Sequence, residues 1–287
     1  METPATPFAA IPFTTGTAPP RIAVPAGAVD CHHHVYAPGF ATAPGTRAHA
    51  PASLDDHARL LARLGVDRHV LVQPSTYGFD NALHLAALDG AGPARARMVA
   101  VVPADAPIAA LRAMGARGVV GARANLVQGV PLGAADVAPL ARRLAEVGWH
   151  LQVFASADGI AALGDVLRAA PVEVVFDHFA QLPLQGWAAH PAWGVVMDLL
   201  QAGRGWVKLS SPYSLDQANP LAVGDLARAL VAAAPERLVW GTNWPHPNAQ
   251  RMPDDAALLD ALAEWAPAEA TRRAILVDNP ARLYRFS

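Results

Sequence analysis

Eight short apolar runs rich in β-branched residues recur along the chain, each followed by a longer Ala/Leu/Arg stretch with helical spacing. The runs lie at 28–34, 69–74, 98–103, 119–125, 150–155, 172–178, 206–210 and 238–244. The intervening patterns predict helices over 53–64, 80–90, 106–115, 134–147, 158–169, 190–203 and 221–234, with 254–263 and 267–276 after the last run. Strict βα alternation implies a parallel sheet covered by helices. Eight units favour closure into one (β/α)8 TIM barrel over an open doubly wound sheet. Ser53 with Asp56 three residues on reads as a capping box that opens the first helix. No linker, repeat or low-complexity segment divides the chain, so the expected organisation is an irregular N-terminal arm (1–25) and a single barrel (26–287).

Composition narrows the function classes. The 287 residues are 53% hydrophobic and 16% charged, which excludes disorder, and no apolar stretch reaches the roughly 20 residues of a membrane helix. A net charge of -2 without a Lys/Arg run leaves no electrostatic footprint for nucleic acid or an anionic membrane, so the expected partner is a small molecule. One cysteine, Cys31, excludes an internal disulfide framework, and residues 1–25 lack the basic start and apolar core of a signal peptide. The expected location is cytoplasmic. Oligomeric state is open, a homo-oligomer included.

Barrel enzymes draw their chemistry from the carboxyl ends of the strands and the loops that follow. The polar residues of this chain obey that rule: His32 and His34 end the first run, Gln73 the second, Arg123 and Asn125 the fourth, His178 the sixth, Lys208 and Ser210 the seventh, and Asn243 the eighth. Side chains alternate along a strand, so Asp30, His32 and His34 are expected on one face and Cys31 and His33 on the other. A lysine inside a barrel could form a Schiff base; a fixed charge beside an Asp or a substrate carboxylate is the preferred reading of Lys208. Asn243, in Trp-Gly-Thr-Asn-Trp-Pro-His-Pro (240–247), has no useful basicity but can orient water or a hydroxyl.

Asp30-x-His32-x-His34, Gly121-Ala122-Arg123-Ala124-Asn125, Phe176-Asp177-His178, Lys208-Leu209-Ser210 and the segment 240–247 together resemble the amidohydrolase superfamily. Within it the likeness is to the amidohydrolase-related lactonases of the 2-pyrone-4,6-dicarboxylate type, and it runs from Val29 to the carboxyl terminus. The resemblance implies opening of a lactone without a metal, with His32, His34 and His178 polarising the carbonyl. Where that family carries an aspartate as base, this chain has Asn243. Among the family's carboxylate-binding arginines, the strand-four one is retained as Arg123, whereas the other two positions are Gly129 and Ser214. His49 and Phe154 stand at pocket positions that are tyrosines in the family, and Thr76, Tyr77 and His246 complete the expected substrate-binding set with Gln73, Asn125, Lys208 and Ser210. A single guanidinium suits a lactone with one carboxylate, or a more neutral one, better than the dicarboxylated pyrone.

Three alternatives stay open. The strand-eight segment also resembles the galactarolactone isomerases, in which a substrate hydroxyl attacks in place of water. Three histidines and water would form a reasonable zinc site, although Arg123 in the pocket repels a divalent ion. A barrel that binds a ligand without catalysis is the third. The preferred expectation is no cofactor and no metal.

Overall fold

The computed structural model describes residues 8–127 and 131–287. Eight parallel strands lie in sequence order: β1 (Val29–His33), β2 (Arg68–Val72), β3 (Ala96–Ala100), β4 (Val119–Asn125), β5 (His150–Phe154), β6 (Val174–Phe176), β7 (Gly205–Ser210) and β8 (Leu238–Gly241). The seam between β8 and β1 is joined just past their ends, where His33 pairs with Trp244, the His34 N–H donates to the Trp244 carbonyl at 2.8 Å and the Asn243 N–H to the His32 carbonyl at 2.7 Å. The expected (β/α)8 barrel is therefore the observed fold.

Helices α1 (Leu54–Leu64), α2 (Ala82–Ala91), α3 (Ile108–Ala116), α4 (Val137–Ala145), α5 (Ala157–Ala162), α6 (Gly164–Arg168), α7 (Pro191–Gln201) and α8 (Gly224–Ala233) sheathe the strands. The capping box at Ser53 is present, with the Asp56 N–H donating to Ser53 Oγ at 3.1 Å and the Ser53 N–H to Asp56 Oδ2 at 3.3 Å. The helix expected over 158–169 is broken into α5 and α6 at Leu163. After β8, the two expected helices become four short ones, α9 (Asp255–Asp260), α10 (Leu262–Trp265), α11 (Glu269–Arg273) and α12 (Asn279–Tyr284), with a π turn between the last two.

Strand periodicity sorts the core. Leu71, Met98, Ala122, Leu151, Val174, Val207 and Trp240 pack against the helices, while Val29, Val70, Val99, Val175, Trp206 and Val239 form a separate cluster inside the barrel. Tyr284 and Phe286 of the carboxyl-terminal tail join that inner cluster and plug the barrel at the amino ends of the strands. Gly121 is required by this filling: a Cβ there would lie 2.4 Å from His150 Nε2, a ring packed in turn against Tyr284. Residues 8–25 carry no regular structure; Pro12 accepts a hydrogen bond from Trp244 Nε1 at 2.9 Å and Arg21 pairs with Asp260 at 2.9 Å. No helix among the described residues is long and apolar enough to cross a membrane.

Two departures from the expected strands shape the site. On β1, Asp30 pairs with His69 but His33 with Leu71, so three residues of β1 span two of β2. This bulge breaks the alternation. Cys31 consequently joins the inner cluster, while Asp30 meets His57 of α1, which reverses the faces expected for these two residues. The sixth strand stops at Phe176 instead of continuing to 178, because His178, Phe179, Ala180 and Gln181 all take positive φ between 49° and 56°. A left-handed turn of four non-glycine residues is energetically unfavourable and occurs where surrounding contacts over-determine it.

Candidate active site

A narrow cleft opens at the carboxyl ends of the strands. Eight residues expected from sequence line it: His34, His49, Thr76, Arg123, Asn125, Phe154, His178 and Asn243. Ser75, beside Thr76 on the second βα loop, lines it too, and so do Tyr36, Pro74, Pro247 and Asn248, which were not among the expected set. A more open groove of about 1180 Å³ on the flank, bordered by Asp105, Arg142 and Arg143, contains none of the strand-end residues.

The remaining expected residues sit elsewhere. His32 lies beneath the cleft, its ring centroid 5.0 Å from that of His34 and 4.7 Å from that of His178. Lys208 is deeper still, donating to the Cys31 carbonyl at 2.9 Å and Gln152 Oε1 at 2.8 Å. Ser210 supports His178 from behind at 2.8 Å, and Ser214 accepts from Gln181 Nε2 at 2.8 Å. Gln73 turns its amide to the Asp80 carbonyl at 2.7 Å, the Tyr77 hydroxyl accepts from the Ala37 N–H at 3.2 Å, and His246 is held between Tyr213 and Asp255. Gln73, Tyr77, Lys208, Ser210, Ser214 and His246, expected as substrate contacts, thus lie outside the cleft lining, each with a protein partner for at least one polar atom. Gly129 lies outside the described residues.

Asp177 organises the floor. Its Oδ2 accepts from Arg123 Nε at 2.8 Å and Gln152 Nε2 at 3.2 Å, and its Oδ1 lies 3.3 Å from His32 Nδ1 and 3.7 Å from Lys208 Nζ. Burial opposes ionisation of this carboxyl, but Arg123, His32 and Lys208 together outweigh it and hold the group well below the usual carboxylate range. The same burial draws the Lys208 ammonium down to about 8, with Asp177 resisting the shift. Sequence parity could have located Gln152, which falls between His150 and Phe154 on the inward face of β5.

The cleft imidazoles are neutral. Burial pushes His32 and His34 well below the ordinary histidine range and His178 down to about 3. His34 Nδ1 lies 2.7 Å from the Val72 carbonyl, which can only accept, so Nδ1 carries the proton and Nε2 is a bare acceptor. In this tautomer His34 presents an acceptor, not a donor, from Nε2. His178 differs, because the Ser210 hydroxyl at Nδ1 can donate and leave Nε2 protonated. Phe154 lies edge-on to His178 at 5.1 Å and beneath the Arg123 guanidinium at 5.1 Å, fixing both rings of the cleft wall.

Two side-chain groups among the described residues bring ligand atoms within 4.8 Å of one another: His32, Asp177 and His178, and His33, His57 and His69. The first does not fit a divalent cation, since its only carboxylate is already compensated by Arg123 and Lys208, whose charges would face the ion. In the second, His33 and His57 stack 3.5 Å apart and 5° from parallel, which aims their in-plane lone pairs along parallel planes instead of at one point. His33 Nε2 is bonded to His69 Nδ1 at 2.8 Å and His57 Nε2 to Asp30 at 3.0 Å.

Comparison with known proteins agrees with this geometry. The amidohydrolase family model matches residues 29–286. The chain is 34% identical to 2-pyrone-4,6-dicarboxylate hydrolase of Comamonas testosteroni, covering 92% of each chain, and 32% identical to D-galactarolactone isomerase of Agrobacterium fabrum, covering 95% of this chain and 96% of that one. An apo crystal structure from Agrobacterium tumefaciens superposes with a TM-score of 0.86 at 30% identity, over 96% of this chain and 99% of that one. With a barrel of the expected topology and strand-end residues gathered into one cleft, the chain belongs to the amidohydrolase family.

Proposed function

We propose that the protein is a hydrolase that opens a lactone carrying one carboxylate, without a metal. The observation that carries this reading is the presence of a bare imidazole nitrogen, His34 Nε2, and the Arg123 guanidinium in the lining of one cleft. Relatives over nearly the whole chain include one named 2-pyrone-4,6-dicarboxylate hydrolase, one named 4-sulfomuconolactone hydrolase and one named D-galactarolactone isomerase. The reading assigns the substrate carboxylate to Arg123, whose Nε is committed to Asp177 and whose outer nitrogens remain for an anion. His178, donating from Nε2, polarises the lactone carbonyl. Such a donor contributes on the order of 3 kcal/mol to a developing oxyanion. Asn243 orients the attacking water, and His34 Nε2 takes its proton. The proton then passes to the ring oxygen as the ester bond breaks, yielding a hydroxy acid or its keto tautomer. The single buried free cysteine suits a reducing compartment, consistent with a cytoplasmic enzyme.

A second reading is favoured by Asn243 alone: a hydroxyl of the substrate attacks in place of water, and the lactone ring is closed elsewhere. A panel of carboxylated, dicarboxylated and sugar-derived lactones, assayed in water enriched in heavy oxygen, separates the two. One heavy oxygen in an opened acid supports hydrolysis, an unlabelled isomeric lactone supports isomerisation, and no turnover across the panel overturns both. Arg123→Met is expected to raise KM for carboxylated substrates 10- to 100-fold more than for neutral lactones.

A further inference from the structure

Behind Asn243 runs a buried chain of hydrogen bonds that the lactone reading does not use. Asp255 Oδ2 lies 3.2 Å from His246 Nε2, His246 Nδ1 lies 2.9 Å from the Tyr213 hydroxyl, and that hydroxyl accepts from Asn243 Nδ2 at 2.8 Å. The second Nδ2 hydrogen reaches Ser211 Oγ at 3.3 Å. All four members are buried, at 3% exposure or less. The backbone of Asn243 is fixed independently, by its N–H to the His32 carbonyl at 2.7 Å and its carbonyl from the His246 N–H at 2.8 Å.

The polarity of this chain follows from its end. A carboxylate can only accept, so Asp255 places the His246 proton on Nε2 and leaves Nδ1 as an acceptor. Tyr213 must then donate its O–H to Nδ1, which leaves only oxygen lone pairs for its other neighbours, Asn243 and the Ser211 hydroxyl, which can itself donate. Burial raises the Tyr213 phenol above its ordinary range and so keeps it a donor. On the Asn243 side, the group that meets those lone pairs has to be an N–H, which is Nδ2. Its Oδ1 therefore turns the other way, and it has no hydrogen-bond partner in the protein.

We propose that Tyr213, His246 and Asp255 are positioning residues that hold the Asn243 amide in one orientation, nitrogen inward and carbonyl oxygen toward the cleft, so that the site selects a ligand O–H group. That group is the attacking water or a ring-closing hydroxyl. The identity of the O–H as a nucleophile rests on the lactone reading; the orientation of the amide does not. Asp255 is an isosteric control point. Asp255→Asn can turn its amide N–H toward His246 Nε2, move the ring proton to Nδ1 and reverse every bond in the chain.

Ring-15N-labelled histidine reads the chain without any substrate. In a two-bond proton–nitrogen spectrum at pH 7.5, with His246→Gln assigning the signal, His246 is expected to carry its proton on Nε2 with a hydrogen-bonded, bare Nδ1. Tyr213→Phe is expected to move Nδ1 to the free lone-pair position with the tautomer unchanged, and Asp255→Asn to move the proton to Nδ1. A wild-type ring protonated at Nδ1, or at both nitrogens, overturns the proposal, because Tyr213 would then donate into Asn243. In the kinetic arm both variants are expected to lower kcat at least tenfold on the best lactone, with KM within twofold and thermal unfolding within a few degrees. Folded variants with unchanged kcat overturn the functional half. If wild type turns over no lactone, the lactone reading fails while the nitrogen spectrum still decides the orientation.

Discussion

Acidification between pH 7.5 and 5.5 is expected to destabilise this protein through its histidines, before any carboxylate in the ordinary range is protonated. His69, His84, His150 and His178 are each held near 3 by burial, against 6.5 in an unfolded chain. The folded state thus binds these four protons only far below the pH at which the unfolded state takes them up. Stability contributed by the neutral rings is complete above 6.5 and is lost as pH falls toward 3. At pH 5.5 each ring costs about 1.4 kcal/mol, and the four together about 6 kcal/mol, against a typical total of 5–15 kcal/mol. His32, His33 and His34 are shifted in the same direction and add to the loss. Urea unfolding followed by tryptophan fluorescence at half-unit steps of pH gives the slope, which counts the protons taken up on unfolding. Four or more between pH 6 and 5 are expected, and His84→Gln should lower the count by one. An uptake below two protons in that window would refute the assignment of neutral buried rings.

Three shorter expectations follow from the site. Asp177→Asn leaves Arg123 and Lys208 facing each other without their carboxylate, and should lower stability in urea at pH 7 by about 3–5 kcal/mol. Because Asp177 holds the Lys208 ammonium up, its removal should let Lys208 discharge below its wild-type value of about 8, and the loss should shrink as pH rises through that lowered value. The pH profile of kcat/KM should stay level down through pH 6 and fall only well below it, because His34 must be unprotonated to accept a proton and its burial shifts that limb downward. Protein prepared with chelator should retain its activity, and addition of zinc should not raise it; a chelator-sensitive activity restored by zinc contradicts the metal-free reading.

Much of the site was legible because strand ends in a parallel barrel converge whatever lies between them. Arg123, Asn125 and Phe154 follow from their places at the ends of two adjacent strands, and His34 and Asn243 from theirs at the seam. Depth was not legible. His32 and Lys208 carry the same kind of sequence signal as His34, yet one sits under the cleft and the other at the barrel floor. Tyr213 and Asp255 gave no strand-end signal at all, since they reach Asn243 from a loop and a helix through hydrogen bonds.

Sequence by itself determined the eight βα units, the inward parity of most strand residues and the gathering of polar groups at one end. These rest on local periodicity and chain order, which are written residue by residue. Only the tertiary structure decided the rest. The seam brings β8 so close to β1 that a Cβ on Gly241 would lie 2.7 Å from the His32 nitrogen, and the bulge beside it reverses the faces of Asp30 and Cys31. The proton placement on His34 is set by the carbonyl of Val72, and that on His246 by Asp255. Such choices depend on which donor meets which acceptor across the closed barrel, and no spacing along the chain encodes them.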